Sequence, residues 1–527
     1  MDPNRLNLLI QTLKHLRLKQ IYYQLYYLIR NKLYKGNYVK ELKTQILPLN
    51  WYDQFFYANS YTKENTFTFL NLTYHFEDCI NWNHKGYGKL WTYNLNYFDF
   101  LNQKLINPDT GLKLIHNYVK NEESLKDGKE PYPISLRGIN WIKFLSNNAI
   151  YDHGVNQVLK NHYQRLIHNL EFHLLGNHLL ENGYSLLFGA YYFRDESFYR
   201  EAKKILTKEL KEQILKDGGH FELSPMYHQI LLHRLLDIIN LIRLNNWKSD
   251  TLLPFLEKKA NKMLSWLEAI TLKNGTVPMV NDSTYGIAPT SNELFSYAKQ
   301  LGIKWKPIPL SDSGYRMFRK KNYELLVDVG NIGPSYQPGH AHSDTFNFEL
   351  YYKNQPVIVD TGISTYEKNT RRIKERSTAS HNTVEINNQE QTEVWDGFRV
   401  ARRAKIVRLN ENTNTVSATH NGYKKLGILH TRNFICDSNK IIIQDTFSKG
   451  NGYKKSAFIH LHPDVNRIQI TDNIIHIIDG NIEVVLEGDV DIKINFYRYS
   501  LGFNKLVESK KIVINFTSDL TTTINFN

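Results

Sequence analysis

Cysteine is nearly absent: Cys79 and Cys436 are the only two in 527 residues, and they lie far apart. That excludes a disulfide framework and a CxxC-type metal site, and fits a reducing compartment. No run of about 18 apolar residues occurs, so a membrane-spanning helix is not expected. The first residues lack an uninterrupted apolar core and a small-residue cleavage site, so no secretory signal is read there. These absences together imply a cytoplasmic protein. Long Lys/Arg tracts, nucleic-acid motifs and low-complexity segments are also missing, and no partner of the nucleic-acid class is expected.

What is present is a chain long enough for two or three domains, 41% hydrophobic, with 34 Tyr, 8 Trp and a formal charge of +14. The basic balance favours polyanionic partners, without choosing between anionic lipid and acidic polysaccharide. Tyr and Trp suit sugar rings, although codon usage in a low-GC genome gives the same bulk count. An amphipathic, Lys-rich stretch from Leu6 to Tyr34 reads as a first packed helix, with peripheral membrane association as its other reading.

From about Leu90 to Leu301 apolar residues recur at spacings of three and four, as in Tyr163–Leu175, Phe198–Leu215, Tyr227–Leu244 and Leu256–Leu272. Asn182-Gly183, Asp217-Gly218-Gly219 and Asn274-Gly275 read as turns between them. Repeated helical hairpins of this length suit an (α/α) toroid. After Lys306 the texture changes to short β-branched runs, among them Tyr323–Val329, Phe346–Tyr352 and Lys440–Gln444, as in an antiparallel β-sandwich. Three parts are therefore expected: a helical extension over 1–89, a toroid over 90–305 and a β-sandwich domain over 306–527, with Ile303–Ser313 as linker.

Three segments concentrate polar chemistry. In Gly176-Asn177-His178-Leu179-Leu180-Glu181, an amide and an imidazole stand together, and Glu181 shares a helical face with His178. In Asp217–His228, two glycines and Ser224-Pro225 set a turn in front of a helix that begins with Tyr227. A tyrosine there serves as a proton carrier in a cleft, or packs in the core and bonds a carbonyl. The third set is Gly339-His340-Ala341-His342-Ser343-Asp344, then Asp360, then His381. If the segment is a strand, His340 and His342 point to one face. Two or three imidazoles and a carboxylate resemble a zinc set in a chain without usable cysteines, and equally resemble satisfied polar residues on a sandwich face. Arg371, Arg372 and Arg376 precede His381 and offer guanidinium groups for carboxylates or sulfates, or for surface salt bridges.

Taken together and in order, Trp91–Asp99, Asn177-His178 with Glu181, Ser224–His228, Gly339–Asp344 and Ser380–Val384 resemble the heparinase II/III-like group of polysaccharide lyases, which also includes alginate and oligoalginate lyases. The resemblance implies a toroid followed by antiparallel sheets, with the cleft between them. It implies that Asn177 and His178 neutralise a uronate carboxylate, with Glu181 orienting His178. Tyr227 would be catalytic base and acid, and His340 the base for the alternative C5 configuration. His342, Asp360 and His381 would hold a structural zinc ion, while Arg371 and Arg376 are candidates for gripping an acidic polysaccharide. The implied reaction is C5 proton abstraction followed by β-elimination. A uronate C5-epimerase shares the first step, and a non-catalytic polysaccharide-binding protein would use the same cleft. A glycoside hydrolase lacks a matching pair of carboxylates.

Overall fold

The computed structural model describes the chain except residues 1, 2, 34, 35, 43–45, 53–56, 105, 450 and 451. From Lys89 to Gln300 it is helical, and from Tyr315 onward it is dominated by antiparallel strands. The helical part is the expected toroid, and its core is continuous and aromatic: Trp91, Trp141, Tyr163 and Phe188 are fully buried.

Helix starts follow local chemistry. Asp152, Asp195 and Ser224 cap the helices His153–His168, Glu196–Gln213 and Pro225–Leu244 by accepting backbone N–H groups of the first turn. Two sequence expectations fail informatively. Helix His153–His168 ends before the 169–175 stretch, which forms a turn. Asn182-Gly183 is no turn but the interior of helix Gly176–Phe193. A Cβ at Gly183 would lie 2.8 Å from Ile205 Cγ2, so the glycine permits close packing of neighbouring helices. Asn182 is spent inward, donating to Glu171 Oε2 and accepting from the Glu171 N–H.

The segment before residue 89 is helical only in part. Helices Pro3–Leu13 and Leu18–Leu33 are followed by a three-stranded antiparallel sheet over Tyr61–His75. Its alternation is short, and Phe67 and Phe69 pack into the toroid core rather than forming a core of their own.

The β-domain holds an eight-stranded sheet and two four-stranded sheets. One four-stranded sheet, Tyr315–Arg319, Tyr323–Asp328, Phe348–Tyr352 and Gln355–Ile358, carries the loop 339–346 and abuts the toroid. Asp445, on the eight-stranded sheet, is a buried anchor. It accepts from Arg432 Nε (2.7 Å) and His430 Nε2 (2.6 Å), and Arg432 continues to the carbonyls of Phe346 and Asn382. Burial alone would raise this carboxyl, but Arg432 and His430 hold it at about 2. A depressed carboxylate stabilises the fold above its unfolded value and loses that contribution as pH falls through its folded one. The melting advantage of wild type over Asp445→Asn is therefore expected to be full at pH 7 and to shrink from about pH 4 towards pH 2. Thermal melts at several pH values check this; a constant difference contradicts it.

Candidate active site

The site lies along the seam between toroid and β-domain. On the toroid side, helix Gly176–Phe193 begins at Gly176 after the cap Leu175, both at positive φ (57° and 62°). A leucine there is strained, and such strain persists where surrounding contacts fix it. It presents Asn177 and His178 at the positive end of the helix, where an anion is favoured. The expected His178–Glu181 pairing does not form. Glu181 is fully buried and accepts from Arg234 Nε (3.1 Å) in the toroid interior, because a carboxylate at that depth needs a cation. His178 Nδ1 instead meets Glu171 Oε1 at 2.9 Å, from the turn that sequence periodicity assigned to a helix. Burial lowers the His178 imidazole, but Glu171 outweighs it and the net shift is upward, favouring the cation.

Tyr227 follows its cap directly: Ser224 Oγ accepts the Tyr227 N–H (3.3 Å) and itself donates to the Asp282 carbonyl (2.8 Å). The Tyr227 hydroxyl lies 3.2 Å from that of Tyr366, and its ring packs against His340, tilted by 33° with centroids 4.0 Å apart. Burial pushes the Tyr227 phenol above its ordinary value, so it is neutral at rest.

His340 and His342 sit on a loop, not a strand, yet still converge on one partner, Asp282. His340 Nδ1 lies 2.8 Å from Asp282 Oδ2 and His342 Nε2 lies 2.9 Å from Oδ1. The Arg372 guanidinium donates to both oxygens at 2.5 and 2.6 Å. Asp282 is fully buried; burial would raise its carboxyl, but Arg372 and the two imidazoles hold it well below the usual carboxylate range. With Nδ1–H donated to Asp282, His340 Nε2 carries the lone pair, and it faces the Asn177 amide at 3.4 Å. A further carboxyl, Glu222, accepts the Asn177 N–H (3.2 Å) and lies 3.9 Å from His340 Nε2.

Asp282, Glu171, Glu222 and Tyr366 escaped the sequence reading. For Asp282 the available signal was an acid in the polar turn Asn281-Asp282-Ser283 directly after the apolar run Val277–Val280. The arginines also redistribute. Arg376 is buried and donates to the carbonyls of Ala341 and Gly397, fixing the histidine loop from behind. Arg371 donates to Glu375 and to the Arg498 carbonyl. Neither reaches the cluster around Tyr227; Arg372 does. A row of tyrosines, Tyr93, Tyr97 and Tyr132, leads to His178, with Tyr132 and His178 rings 4.6 Å apart. Such a wall suits sugar rings.

The candidate metal residues lie behind the site. His381 Nδ1 meets Asp360 Oδ2 at 2.8 Å, and Asp360 also accepts from Asn347 Nδ2 and the Gly362 N–H. His342 and His381 rings have centroids 5.2 Å apart. His342 Nδ1 and His381 Nε2, the nitrogens left with lone pairs, are buried without hydrogen-bond partners, as is Asp344 Oδ2. Two imidazoles oriented by carboxylates would supply two of a zinc ion's ligands. Asp360 is placed to orient His381, and the open carboxylate oxygen belongs to Asp344. Among the described residues no group of three such side chains stands arranged to hold a metal.

Two family models match in tandem: heparinase II/III N-terminus over residues 134–301, and heparinase II/III-like, C-terminal over residues 303–527. The chain belongs to the heparinase II/III-like family. Among relatives of this heparinase II/III-like chain, a heparin-sulfate lyase of Bacteroides stercoris is 24% identical over 361 residues, 63% of this chain and 52% of the relative. One from Pedobacter heparinus is 25% identical over 306 residues, covering 53% and 45%. The chain thus matches about half the length of these relatives. In fold it is similar to the crystal structure of a heparinase III (TM-score 0.66, 16% identity, 96% and 91% covered). It also resembles the heparan sulfate lyase HepC of Pedobacter heparinus (TM-score 0.56, 18% identity, 88% and 81% covered).

Proposed function

We propose that this heparinase II/III-like chain is a polysaccharide lyase that cleaves a uronic-acid-containing polymer by C5 proton abstraction and β-elimination. The observation that carries the reading is the convergence of Asn177, Tyr227 and an Asp282-held His340 at one point on the seam. A uronate C5–H is a very weak acid, and removing it adds charge beside a carboxylate. Asn177 and cationic His178, at a helix N-terminus, stabilise the enolate that forms. His340 Nε2 takes the C5 proton, and the neutral Tyr227 hydroxyl protonates the departing O4. The products are a free hydroxyl at the new chain end and a C4–C5 double bond. The substrate class is an acidic polysaccharide, as the names of the relatives indicate for those proteins.

C5 epimerisation begins with the same proton abstraction; elimination is favoured because the relatives are named heparin-sulfate lyases. Ultraviolet absorbance of the unsaturated product, screened over heparosan-like, chondroitin-like and alginate-like polymers, tests the reading; C5 proton exchange without that absorbance would select epimerisation. Asn177→Ala is expected to lower kcat roughly a hundredfold or more, since one oxyanion-type donor is worth about 3–4 kcal/mol.

Zinc, oriented by the carboxylate-held His342 and His381, would brace the β-domain behind His340 and take no part in proton transfer. Metal analysis should find zinc, and its removal by a chelator should lower Tm; a metal-free protein with an unchanged melt rejects the site. Two unpaired cysteines, one exposed and one buried, support a cytoplasmic location. No described helix is long and apolar enough to cross a membrane.

A further inference from the structure

Of 25 exposed large hydrophobic side chains among the described residues, eleven lie between Leu6 and Leu33. That concentration sets helices Pro3–Leu13 and Leu18–Leu33 apart from the rest of the described surface, where exposed apolar residues are single or in pairs such as Ile494 and Phe496.

The second helix has two working faces. One is docked: Gln20 donates to the Leu174 carbonyl and to Gln337, Tyr23 packs on Phe172, the Tyr27 hydroxyl donates to the Leu170 carbonyl, and Arg30 donates to the His168 carbonyl. Positions 20, 23, 27 and 30 follow helical spacing. This face fully accounts for how the helix is held on the protein. The other face carries Leu18, Tyr22, Leu25, Ile29 and Leu33 at the same spacing, exposed by 85%, 61%, 55%, 59% and 80%. Among the described residues these five side chains remain largely exposed. The first helix, tied down where Trp395 Nε1 donates to Thr12 Oγ1, continues the apolar surface with Leu6, Ile10 and Leu13.

Charge identifies the occupant. Between Pro3 and Lys40 the sequence has eight Lys/Arg and no Asp or Glu. Arg5, Lys14, Lys32 and Lys40 are exposed, while Arg17 is paired with Glu212. A two-fold dimer through this face would bring two basic stretches together, neither with an acid between Pro3 and Lys40. An acidic polysaccharide would satisfy the cations but not the leucines. An anionic bilayer satisfies both: apolar side chains enter the acyl boundary, basic ones meet headgroup phosphates, and tyrosines suit the interface.

We infer that the two N-terminal helices form a peripheral membrane-docking surface for anionic lipid. The turn 169–175, on which the second helix rests, carries Glu171, the partner of His178, so a docked enzyme would hold its cleft close to the bilayer. The inference stands independently of the lyase reading, because vesicle binding is measured without substrate.

The test is flotation of the full chain with vesicles of phosphatidylcholine alone and with about 30% phosphatidylglycerol, in low and high salt. Binding should be at least tenfold stronger to the anionic vesicles, weaken with salt, and fall at least tenfold in the double variant Leu25→Glu/Ile29→Glu. These residues are exposed, so the variant should keep the wild-type melting curve. Should it misfold, Lys14→Glu/Lys32→Glu, also at exposed positions, supplies the second comparison and is expected to weaken binding likewise. Absence of binding to the anionic vesicles, equal binding by correctly folded variants, or a solution dimer abolished by Leu25→Glu/Ile29→Glu would each overturn the inference.

Discussion

Tyr227→Phe is expected to lower kcat by on the order of 10³-fold or more, with KM little changed. The phenyl ring keeps its packing against His340, so the wall of the site survives and only the hydroxyl is lost. That hydroxyl is neutral at rest because burial raises its proton affinity, with Asp282 and Glu222 adding to the effect and Tyr366 opposing it. A neutral phenol is a ready donor to the departing O4, and its own hydroxyl lies 3.2 Å from that of Tyr366. A steady-state comparison on any polymer that wild type cleaves, with a thermal melt as fold control, decides the matter. Turnover within tenfold of wild type would remove Tyr227 from the mechanism.

Asp282→Asn should be nearly as damaging to kcat and, unlike Tyr227→Phe, should also destabilise the protein. The native carboxylate accepts from two imidazoles and twice from Arg372. An asparagine has one acceptor oxygen and turns an N–H₂ towards donors. Arg372, fully buried, would lose its counter-charge, and breaking a buried pair typically costs about 3–5 kcal/mol. His340 would lose the acceptor that fixes Nδ1–H, so the lone pair at Nε2 would no longer be guaranteed. Loss of an equivalent orienting carboxylate in triad enzymes lowers kcat by about 10⁴. A lowered Tm together with a kcat loss that high substrate does not restore is the expected pair of results. A lowered Tm with normal kcat would leave Asp282 a structural residue only.

Much of this was legible in the sequence where a short motif controls its own geometry. Ser224-Pro225 announces both the cap and the helix that carries Tyr227, because capping is a matter of three or four residues. Asn177, His178 and Glu181 lie on one helix, as expected, although that helix begins at Gly176 and runs on through the expected turn. The residues that orient them were not legible. Glu171 sits in a turn that apolar spacing disguised as helix, and Asp282 meets His340 across 58 positions of sequence. Glu181 had the right spacing for His178, but spacing cannot reveal that Arg234, on another helix, would compete for it. The arginine cluster makes the same point: three guanidiniums within six residues went to two structural posts and one electrostatic one, and only tertiary contacts assign them.

Asp282 also bears on how the protein is divided. The two family segments meet at residues 301 and 303, and Asp282 belongs to the first while His340, Tyr366 and Arg372 belong to the second. The Asp282 N–H donates to the His340 carbonyl, and Asn281 accepts from the His342 N–H, so the joint is stitched through the backbone as well. Neither half made alone would own a proton-abstracting group in working order: one would keep the carboxylate without its imidazole, the other a buried guanidinium without its anion. The boundary visible in the sequence is thus not a boundary of function, and a substitution on either side of it is selected by what stands on the other.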